Sequence, residues 1–212
     1  YIELCEKLVE ILPHGKHTKV MLTNTGAESV ENAIKIAKQA TRRPAVICFS
    51  DAFHGRTLMG MSLTSQINYK INCGPFAPEV YRLEYPNFYK NGYELSEDEF
   101  SESEIKRLER FVKTHVEVNQ VAAIILELVQ GEGGFNIAPK KYIKLLREFC
   151  DKHGVMLIFD EVQTGFCRTA KWGAYEHYGV VPDISTWAKS MGSGMPIGAV
   201  IGKAEVMDAV DI

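Results

Sequence analysis

The 212-residue sequence lacks the features that mark several large classes of protein. It has no apolar run long enough to cross a bilayer as a helix, so it gives no sign of a membrane protein. Its 24 basic and 27 acidic residues leave a net charge of −3, which gives no reason to expect nucleic acid or an anionic membrane as a partner. Internal repeats, low-complexity tracts and a recognisable linker are also missing. What remains is an ordinary globular composition, with 46% hydrophobic residues.

Disulfide and metal frameworks are equally poorly supported. The five cysteines are scattered, their number is odd, and no C-x-x-C pair occurs. Cys48 and Cys150 stand in apolar surroundings and are interpreted as small core residues. The six histidines form no H-x-x-x-H pair, so no metal site is expected. A reducing compartment fits best, the cytoplasm or else the mitochondrial matrix.

A phosphate loop of the form G-x-x-x-x-G-K-[ST] is absent as well. This matters because Asp160-Glu161 follows the apolar residues 155–159, and an acid pair at a strand end also occurs in nucleotide hydrolases, where it holds magnesium. Gly26 leads into Ala27 and Glu28 instead, and the later glycine clusters lack the Lys-Ser/Thr ending. Without a phosphate loop, the nucleotide-hydrolase interpretation is disfavoured.

Strand-like and helix-like segments alternate, which predicts an α/β fold with a mostly parallel sheet flanked by helices. The predicted strands cover residues 19–22, 45–49, 80–83, 121–129, 155–159, 184–187 and 199–201. The predicted helices cover residues 28–40, a segment around 56–63, a segment that begins with a cap at 101–104 and runs toward His115, and 140–153. Pro139 at the first helical position and Gly154 after the last turn bracket the final one. All 212 residues are interpreted as one domain.

Asp160 and Lys189 are the central candidates for chemistry. Open parallel sheets bind ligands at the carboxyl ends of their strands, and both residues follow predicted strands. A strand-end acid with a lysine after the next strand suggests pyridoxal phosphate: the lysine holds the cofactor as an imine, and the acid keeps the pyridine nitrogen protonated. Partial shielding of Lys189 would lower its pKa and free its amine. The alternatives are a buried acid that caps a loop and an ordinary surface lysine.

Two further strand-to-helix turns carry candidates. In residues 23–28, small residues at a helix start could admit a phosphate. The alternative is an ordinary capped turn, in which Thr25 is the N-cap and Glu28 completes a capping box. In residues 51–57, Phe53 could stack on a planar ring and Arg56 could bind a carboxylate, or the arginine could simply be solvated.

Acids and amides near the fourth predicted strand complete the candidates. Glu127 interrupts the apolar run 121–129, and a buried carboxylate costs several kcal/mol unless it is paired, which favours a role in a site. Glu132 follows in a glycine-rich turn, where a role in a site is favoured and a plain solvated turn acid is the alternative. Gln163 would face the same ring as Asp160 and could donate to its phenolic oxygen.

Taken together, these residues resemble the class-III pyridoxal-phosphate aminotransferases, and among them the 4-aminobutyrate aminotransferases. The resemblance covers nearly the whole chain and is carried by the segments 24–33, 53–57, 129–134, 158–166 with Arg168-Thr169, 176–179 with Pro182-Asp183, and 188–190. It implies the large domain of the type I fold of these enzymes, pyridoxal 5'-phosphate as cofactor, and amino transfer from an ω-amino acid such as 4-aminobutyrate to a 2-oxo acid such as 2-oxoglutarate.

The resemblance also implies roles for individual residues. Lys189 corresponds to the imine lysine and proton shuttle, and Asp160 to the partner of the pyridine nitrogen. For the cofactor, the resemblance places Gln163 near the phenolic oxygen, Phe53 on the ring with His54 beside it, and Gly26 and Ala27 around the phosphate. For the substrate, it places Arg56 on the carboxylate. Glu127 and Glu132 correspond to acids that orient the site and gate a second arginine.

Departures from the family pattern concern substrate choice and completeness. Leu128 stands where proline is usual and Ala170 where glycine is usual, and residues 191–198 lean toward the acetylornithine and ornithine enzymes. An acetylornithine, ornithine or diaminobutyrate aminotransferase and a racemase of the same fold are therefore alternatives.

The chain looks like most of the large domain without the N-terminal segment and the C-terminal small domain. We expect a homodimer for the full-length protein, and little turnover from residues 1–212 alone; an inactive, truncated chain is the remaining alternative.

Overall fold

The computed structural model describes residues 1–92 and 94–209. Its strands are β1 (Thr18–Thr23), β2 (Ala45–Phe49), β3 (Val80–Leu83), β4 (Val121–Leu126), β5 (Met156–Asp160), β6 (Ile184–Trp187) and β7 (Gly198–Lys203). Its helices are α1 (Ile2–Ile11), α2 (Gly26–Thr41), α3 (Leu58–Leu63), α4 (Phe88–Asn91), α5 (Glu97–Thr114), α6 (Lys140–His153) and α7 (Ala204–Met207). Strands and helices alternate along most of the chain, as predicted.

The strands form one mixed sheet in the order β1-β7-β6-β5-β4-β2-β3. The pairs from β3 through β6 are parallel, whereas β7 is antiparallel to both β6 and β1. Because two antiparallel steps restore the original direction, β1 points the same way as the parallel strands. The carboxyl ends of six strands therefore lie at one edge of the sheet, where α/β proteins bind ligands.

Helices cover both faces of the sheet, because the central strands are apolar on both sides. In β4, Ile124 and Leu126 pack into the core on one face, while Ala123 and Ile125 pack into the core on the other. This alternation is the two-residue period of a strand. The first core is completed from α1, α5 and α6, and the second from α2, α3 and α7. The α/β prediction of a mostly parallel sheet flanked by helices is confirmed.

The helix that runs toward His115 begins earlier than predicted. Its N-cap is Ser96, whose hydroxyl accepts a hydrogen bond from the Glu99 N–H at 3.3 Å, while the Glu99 carboxylate accepts one from the Ser96 N–H at 2.9 Å. This reciprocal pair is the capping box. Ser101 is buried inside the helix instead. The predicted start at 101–104 was wrong because the same S-x-x-E spacing occurs twice in a row.

Helix α6 has the predicted bounds. Gly154 follows it with a left-handed φ of 61°, a conformation that glycine adopts without steric cost. Pro139 is the N-cap and lies just outside the helix, so its predicted place as the first helical residue was wrong by one position. Tyr142 and Leu146 are buried in the core on the face of the sheet that α1 and α5 also cover. Cys48 and Cys150 are buried core residues, also as predicted.

A buried histidine ties α1 to the sheet. His14 is fully buried, with Nδ1 2.9 Å from the Leu12 carbonyl and Nε2 2.8 Å from the Ser185 hydroxyl. Because a carbonyl only accepts, Nδ1 carries the proton and Nε2 accepts from Ser185. The Ser185 oxygen in turn accepts from the Trp187 indole N–H at 2.6 Å. Burial lowers the pKa of His14 to about 4, and the nearby charge of Lys203 adds to this.

This histidine should make the fold sensitive to mild acid. In the unfolded chain it takes up a proton near pH 6.5, but in the folded chain only near pH 4, so stability is lost as the pH falls between these values. The expected loss of unfolding free energy is roughly 3 kcal/mol. Urea denaturation at several pH values between 7 and 4 measures it. His14→Gln, which keeps one donor and one acceptor, should flatten this part of the profile; equal slopes in both proteins would contradict the assignment.

Among the described residues, no helix has the length and hydrophobicity that a membrane crossing requires.

Candidate active site

A cavity of about 530 Å³ opens at the sheet edge where the parallel strands end. It lies between the loops that follow β1, β2, β4, β5 and β6. All the site residues predicted from the sequence line this cavity: Gly26, Ala27, Phe53, His54, Arg56, Glu127, Glu132, Asp160, Gln163 and Lys189. These residues span more than 160 positions of the chain, and the common direction of the strands brings them together.

The N-terminus of α2 forms one wall of the cavity. Thr25 caps the helix by accepting from the Glu28 N–H at 3.1 Å. The Glu28 carboxylate accepts from the N–H of Asn24 at 2.8 Å rather than from the cap residue, so the predicted capping box is wrong by one residue. The first N–H groups of a helix have no intrahelical partners and attract anions. Gly26 and Ala27 supply two of these groups at the cavity wall.

Close packing explains the small residues at this helix start. A Cβ added at Gly26 would lie 2.8 Å from Cγ1 of Val162, and one added at Gly55 would lie 2.7 Å from Cβ of Ala27. Gly55 also has a φ of 116°, which side-chain-bearing residues rarely adopt. The loops after β2 and β5 therefore approach the start of α2 more closely than larger residues would allow.

Asp160 is the last residue of β5, and its side chain is almost fully buried. One carboxylate oxygen accepts from the Thr186 hydroxyl at 3.0 Å and the Val162 N–H at 3.1 Å, and the other lies 2.7 Å from Nδ1 of His54. Since an ionised carboxylate only accepts, Nδ1 of His54 is the donor. Three donors hold this acid in one orientation at the cavity.

Glu127 follows β4 directly and is also buried. Its two carboxylate oxygens accept from the N–H groups of Phe53 and Gly131, each at 3.0 Å, and so join the loops after β2 and β4. Burial raises the pKa of this carboxyl group, and nearby His54 opposes the rise. Glu127, predicted from the sequence as a site residue, lies at the wall of the cavity.

Strand β4 ends at Leu126, three residues before the predicted end. The Tyr85 hydroxyl lies 2.9 Å from the Glu127 carbonyl and 3.2 Å from that of Leu128, and the Tyr178 hydroxyl lies 3.2 Å from the latter. The Leu128 carbonyl also accepts from the Ala138 N–H at 3.1 Å, so the carbonyls that follow β4 bond to segments outside the sheet. The apolar run alone gave no sign of this exchange.

Lys189 and Gln163 meet inside the cavity, where the lysine amine donates to the Gln163 side-chain oxygen. Lys189 begins a short 3₁₀ turn after β6 and has a left-handed φ of 49°. Its side chain is exposed, so the expected partial shielding was wrong. The reason is geometric, since the strand ends at Trp187 and the lysine side chain extends into the cavity rather than into the core. A Cβ at Gly131 would lie 2.7 Å from Cγ of Gln163, so this glycine makes room for the glutamine.

Arg56, Glu132 and Phe53 lie toward the cavity mouth. Arg56 and Glu132 are exposed, and Phe53 is half-buried with its ring edge-to-face against Tyr69 at 4.9 Å between centroids. The Glu132 backbone carbonyl accepts from the Gln66 side chain at 2.9 Å, which holds its loop. A charge of each sign is therefore available at the opening of the cavity.

Several site residues were missed from the sequence. Thr186 supports Asp160, and its place follows from the pairing of the two residues across β5 and β6. Asn24, Met195, Pro196 and Ile197 line the cavity without having been predicted there. Only strand register and loop packing reveal these residues.

Within the part of the chain that the structure describes, no group of three His, Cys, Asp or Glu side chains could hold a metal ion.

The family model of the class-III aminotransferases matches residues 1–212. The chain belongs to this family. It is 45% identical over 210 residues to a probable 4-aminobutyrate aminotransferase of Bacillus subtilis, covering 99% of this chain and 48% of that protein. It is 46% identical over 211 residues to a 5-aminovalerate aminotransferase of Pseudomonas putida, with the same coverage. The chain thus spans about half the length of the curated relatives it matches.

A solved structure of the family shows the same architecture. The taurine:2-oxoglutarate aminotransferase of Bifidobacterium kashiwanohense, in complex with PLP and glutamate, superposes with a TM-score of 0.91 at 30% identity. The match covers 98% of this chain and 47% of that one. The resemblance inferred from the sequence motifs is confirmed at the level of family and fold.

The departure at position 170 has a backbone consequence. Ala170, where the family usually has glycine, has a left-handed φ of 63°. That conformation costs a residue with a Cβ roughly 1–2 kcal/mol.

Proposed function

We propose that the protein carrying this chain is a pyridoxal-phosphate-dependent aminotransferase. It moves the amino group of an ω-amino acid such as 4-aminobutyrate to a 2-oxo acid, for which 2-oxoglutarate is the proposed acceptor. One observation carries the proposal: an amine, a buried acid and a helix N-terminus, from Lys189, Asp160 and α2, line one cavity. We also propose that residues 1–212 form most of the large, cofactor-binding domain.

The residues fit pyridoxal phosphate part by part. The cofactor carries a phosphate, a pyridine ring with a basic nitrogen, and an aldehyde. The start of α2 suits the phosphate, because the N–H groups of Gly26 and Ala27 lie at the cavity wall and have no intrahelical partners. Phe53 supplies an apolar ring, Asp160 supplies a fixed carboxylate for the pyridine nitrogen, and Lys189 supplies an amine for the aldehyde. When bound, the cofactor supplies an electron sink for carbanion chemistry.

The protein's own part in the reaction is to hold and to move protons. Asp160, oriented by its three donors, would keep a proton on the pyridine nitrogen. Lys189 would bind the cofactor through its amine, release it to the substrate amine, and then carry a proton to and from the substrate carbon. Gln163 already accepts from that amine, and it would face the cofactor's phenolic oxygen. The two half-reactions would follow ping-pong kinetics.

The substrate proposal rests on charge at the cavity mouth and on the relatives. Arg56 is exposed there and can bind the far carboxylate of an ω-amino acid in two-pronged fashion. The two relatives described above are named for 4-aminobutyrate and 5-aminovalerate, which share an amine at one end and a carboxylate at the other. Met195, Pro196 and Ile197 lie in the segment that leans toward the ornithine enzymes, and they line the same cavity. Ornithine and acetylornithine are therefore the competing donors.

The deciding experiment combines labelling with a donor panel on the intact protein. Pyridoxal phosphate followed by borohydride should place a pyridoxyl group on Lys189, as peptide mapping would show. With 2-oxoglutarate as acceptor, 4-aminobutyrate and 5-aminovalerate should react faster than ornithine and acetylornithine. Label scattered over surface lysines would overturn the cofactor proposal. Faster reaction of the ornithine compounds would overturn only the donor assignment.

We propose a homodimer in the cytoplasm as the working form. The cysteines of the chain are free, two of them exposed, which suits a reducing compartment. Phe135 and Ile137 are exposed beside a second cavity of about 850 Å³, a surface of the kind that a partner subunit covers. Sedimentation of the intact protein at micromolar concentration should give twice the protomer mass; a monomer would contradict this proposal.

A further inference from the structure

Glu161 is a buried acid for which the proposed reaction has no use. Its exposed fraction is 1%, and it does not line the cavity. One carboxylate oxygen accepts from the Tyr175 N–H at 2.9 Å, and the other accepts from the Ala174 N–H at 3.0 Å and from the Thr164 hydroxyl. A carboxylate is costly to bury, and three donors offset that cost. The acid therefore ties the end of β5 to residues thirteen and fourteen positions later.

The segment closed by this acid, residues 163–175, contacts both sides of Lys189. Before the loop turns away, the Gln163 side chain accepts from the lysine amine. Two residues on, the Gly165 carbonyl accepts from the Ser190 hydroxyl at 3.3 Å, and Nε of Arg168 donates to the same hydroxyl oxygen, also at 3.3 Å. We call residues 163–175 the lysine-facing loop.

The lysine-facing loop lies directly on Trp187, two residues before the lysine. A Cβ at Gly165 would lie 2.5 Å from the indole ring, and one at Gly173 would lie 2.9 Å from it. Lys189 itself has a left-handed φ of 49°, a conformation that persists only when its surroundings impose it. The lysine-facing loop and the segment that carries Lys189 therefore pack tightly against each other. The buried Glu161 carboxylate anchors the C-terminal end of the loop at Ala174 and Tyr175.

We propose that Glu161 is a positioning residue of the aminotransferase, which sets the reactivity of Lys189 by holding the lysine-facing loop and thereby Gln163. The proposal rests on the proposed function, since it takes Lys189 as the residue that binds the cofactor. Glu161 touches neither cofactor nor substrate; it acts through Thr164, whose neighbour in the chain is Gln163, and through the N–H groups of Ala174 and Tyr175.

The test is a double-mutant cycle with Glu161→Gln and Gln163→Ala in the intact protein loaded with pyridoxal phosphate. A carboxamide has only one acceptor oxygen for the three donors, so the loop should shift. The readout is the pH midpoint of the absorbance of the Lys189-bound cofactor. Glu161→Gln is expected to move this midpoint by about half a pH unit or more, and the movement should shrink to less than about 0.2 unit in the Gln163→Ala background.

Two further variants separate positioning from charge and from stability. Thr164→Val keeps the Glu161 charge but removes one donor, so it should move the midpoint in the same direction, and it serves as the test if Glu161→Gln does not fold. Asp183→Asn removes a buried acid at the opposite edge of the sheet, where Asp183 binds Arg147 at 2.8 Å and Lys203 at 2.6 Å. It should lower the melting temperature and leave the midpoint within about 0.2 unit.

The outcomes distinguish this inference from the proposed function. If the wild-type protein binds no cofactor at Lys189, the proposed function fails and this inference fails with it. If the cofactor is bound but Glu161→Gln moves the midpoint equally with and without Gln163, the carboxylate acts only through its electric field. If neither Glu161→Gln nor Thr164→Val moves the midpoint, the acid is only structural. Either of the last two results overturns the positioning role and leaves the aminotransferase proposal intact.

Discussion

Lys189→Ala is expected to lower kcat/KM for amino transfer by roughly 10⁴-fold. In the proposed reaction this amine both binds the cofactor and carries the proton at the substrate carbon, so its loss removes two roles at once. The side chain is exposed in the cavity, and among the described residues it donates to Gln163 alone, so truncation leaves none of their buried groups unpaired. The fold should therefore survive the change. Steady-state kinetics with 4-aminobutyrate and 2-oxoglutarate measure the effect, and thermal denaturation checks the fold.

Lys16→Ala is the matched control, because Lys16 is an exposed lysine just before β1, at the sheet edge away from the cavity. Its kcat/KM should stay within about twofold of the wild-type value. If Lys189→Ala kept a tenth or more of the wild-type kcat/KM, the assignment of the central lysine would be wrong.

Asp160→Asn is expected to lower kcat/KM by about 10²–10³-fold. A neutral amide cannot stabilise the protonated pyridine nitrogen, so the electron sink is weakened although the cavity keeps its shape. An amide also offers one acceptor oxygen where the carboxylate accepts from Thr186, Val162 and His54. Leaving a buried donor unmatched should cost about 1–3 kcal/mol of unfolding free energy. Rate measurements and urea denaturation on the same preparations separate the two effects.

Asp183→Asn again provides the comparison, because it changes a buried acid that ends no strand at the cavity. Burial of Asp183 alone would raise its pKa, but the charges of Arg147 and Lys203 and the Leu157 N–H outweigh this and lower it. Its amide variant should lose stability while keeping most of its activity per folded molecule. If both amide variants lost activity in proportion to stability alone, Asp160 would have no special part in the reaction.

Local signals in the sequence predicted most of the secondary structure. Helix α6 was predicted with the right bounds because its apolar period, a proline and a glycine agreed. The start of α5 was wrong because two S-x-x-E spacings compete, and local chemistry does not rank them; Ser96 leads into an acidic first turn, whereas Ser101 is on the buried face. The end of β4 was wrong for a different reason, since the carbonyls that follow it bond to distant segments. That of Glu127 accepts from the Tyr85 hydroxyl, and that of Leu128 accepts from the Tyr178 hydroxyl and the Ala138 N–H.

The candidate residues were found from the sequence because each breaks a local rule. Glu127 is an acid in an apolar run, Asp160 ends a buried strand, and Lys189 is followed by glycines; such inconsistencies mark functional sites. Their assignment to roles came from resemblance to a family, which the match over residues 1–212 confirms at family level. The supporting contacts of Thr186, Thr164 and Gly131 were not predicted, because ordinary residue types become special only through their neighbours.

The sequence by itself determined the alternation of strands and helices, the family, and which side chains have chemistry to offer. Hydrophobic periods, caps and motifs each lie within a short stretch of sequence, and the local interactions in that stretch favour a particular helix, strand or turn. The tertiary structure decided which of these side chains meet. That outcome depends on strand order and register: the antiparallel β7 turns β1 so that the start of α2 faces the same cavity as Asp160 and Lys189. Contacts between residues more than 100 positions apart, such as His54 with Asp160, follow from that packing and cannot be predicted from the neighbouring sequence.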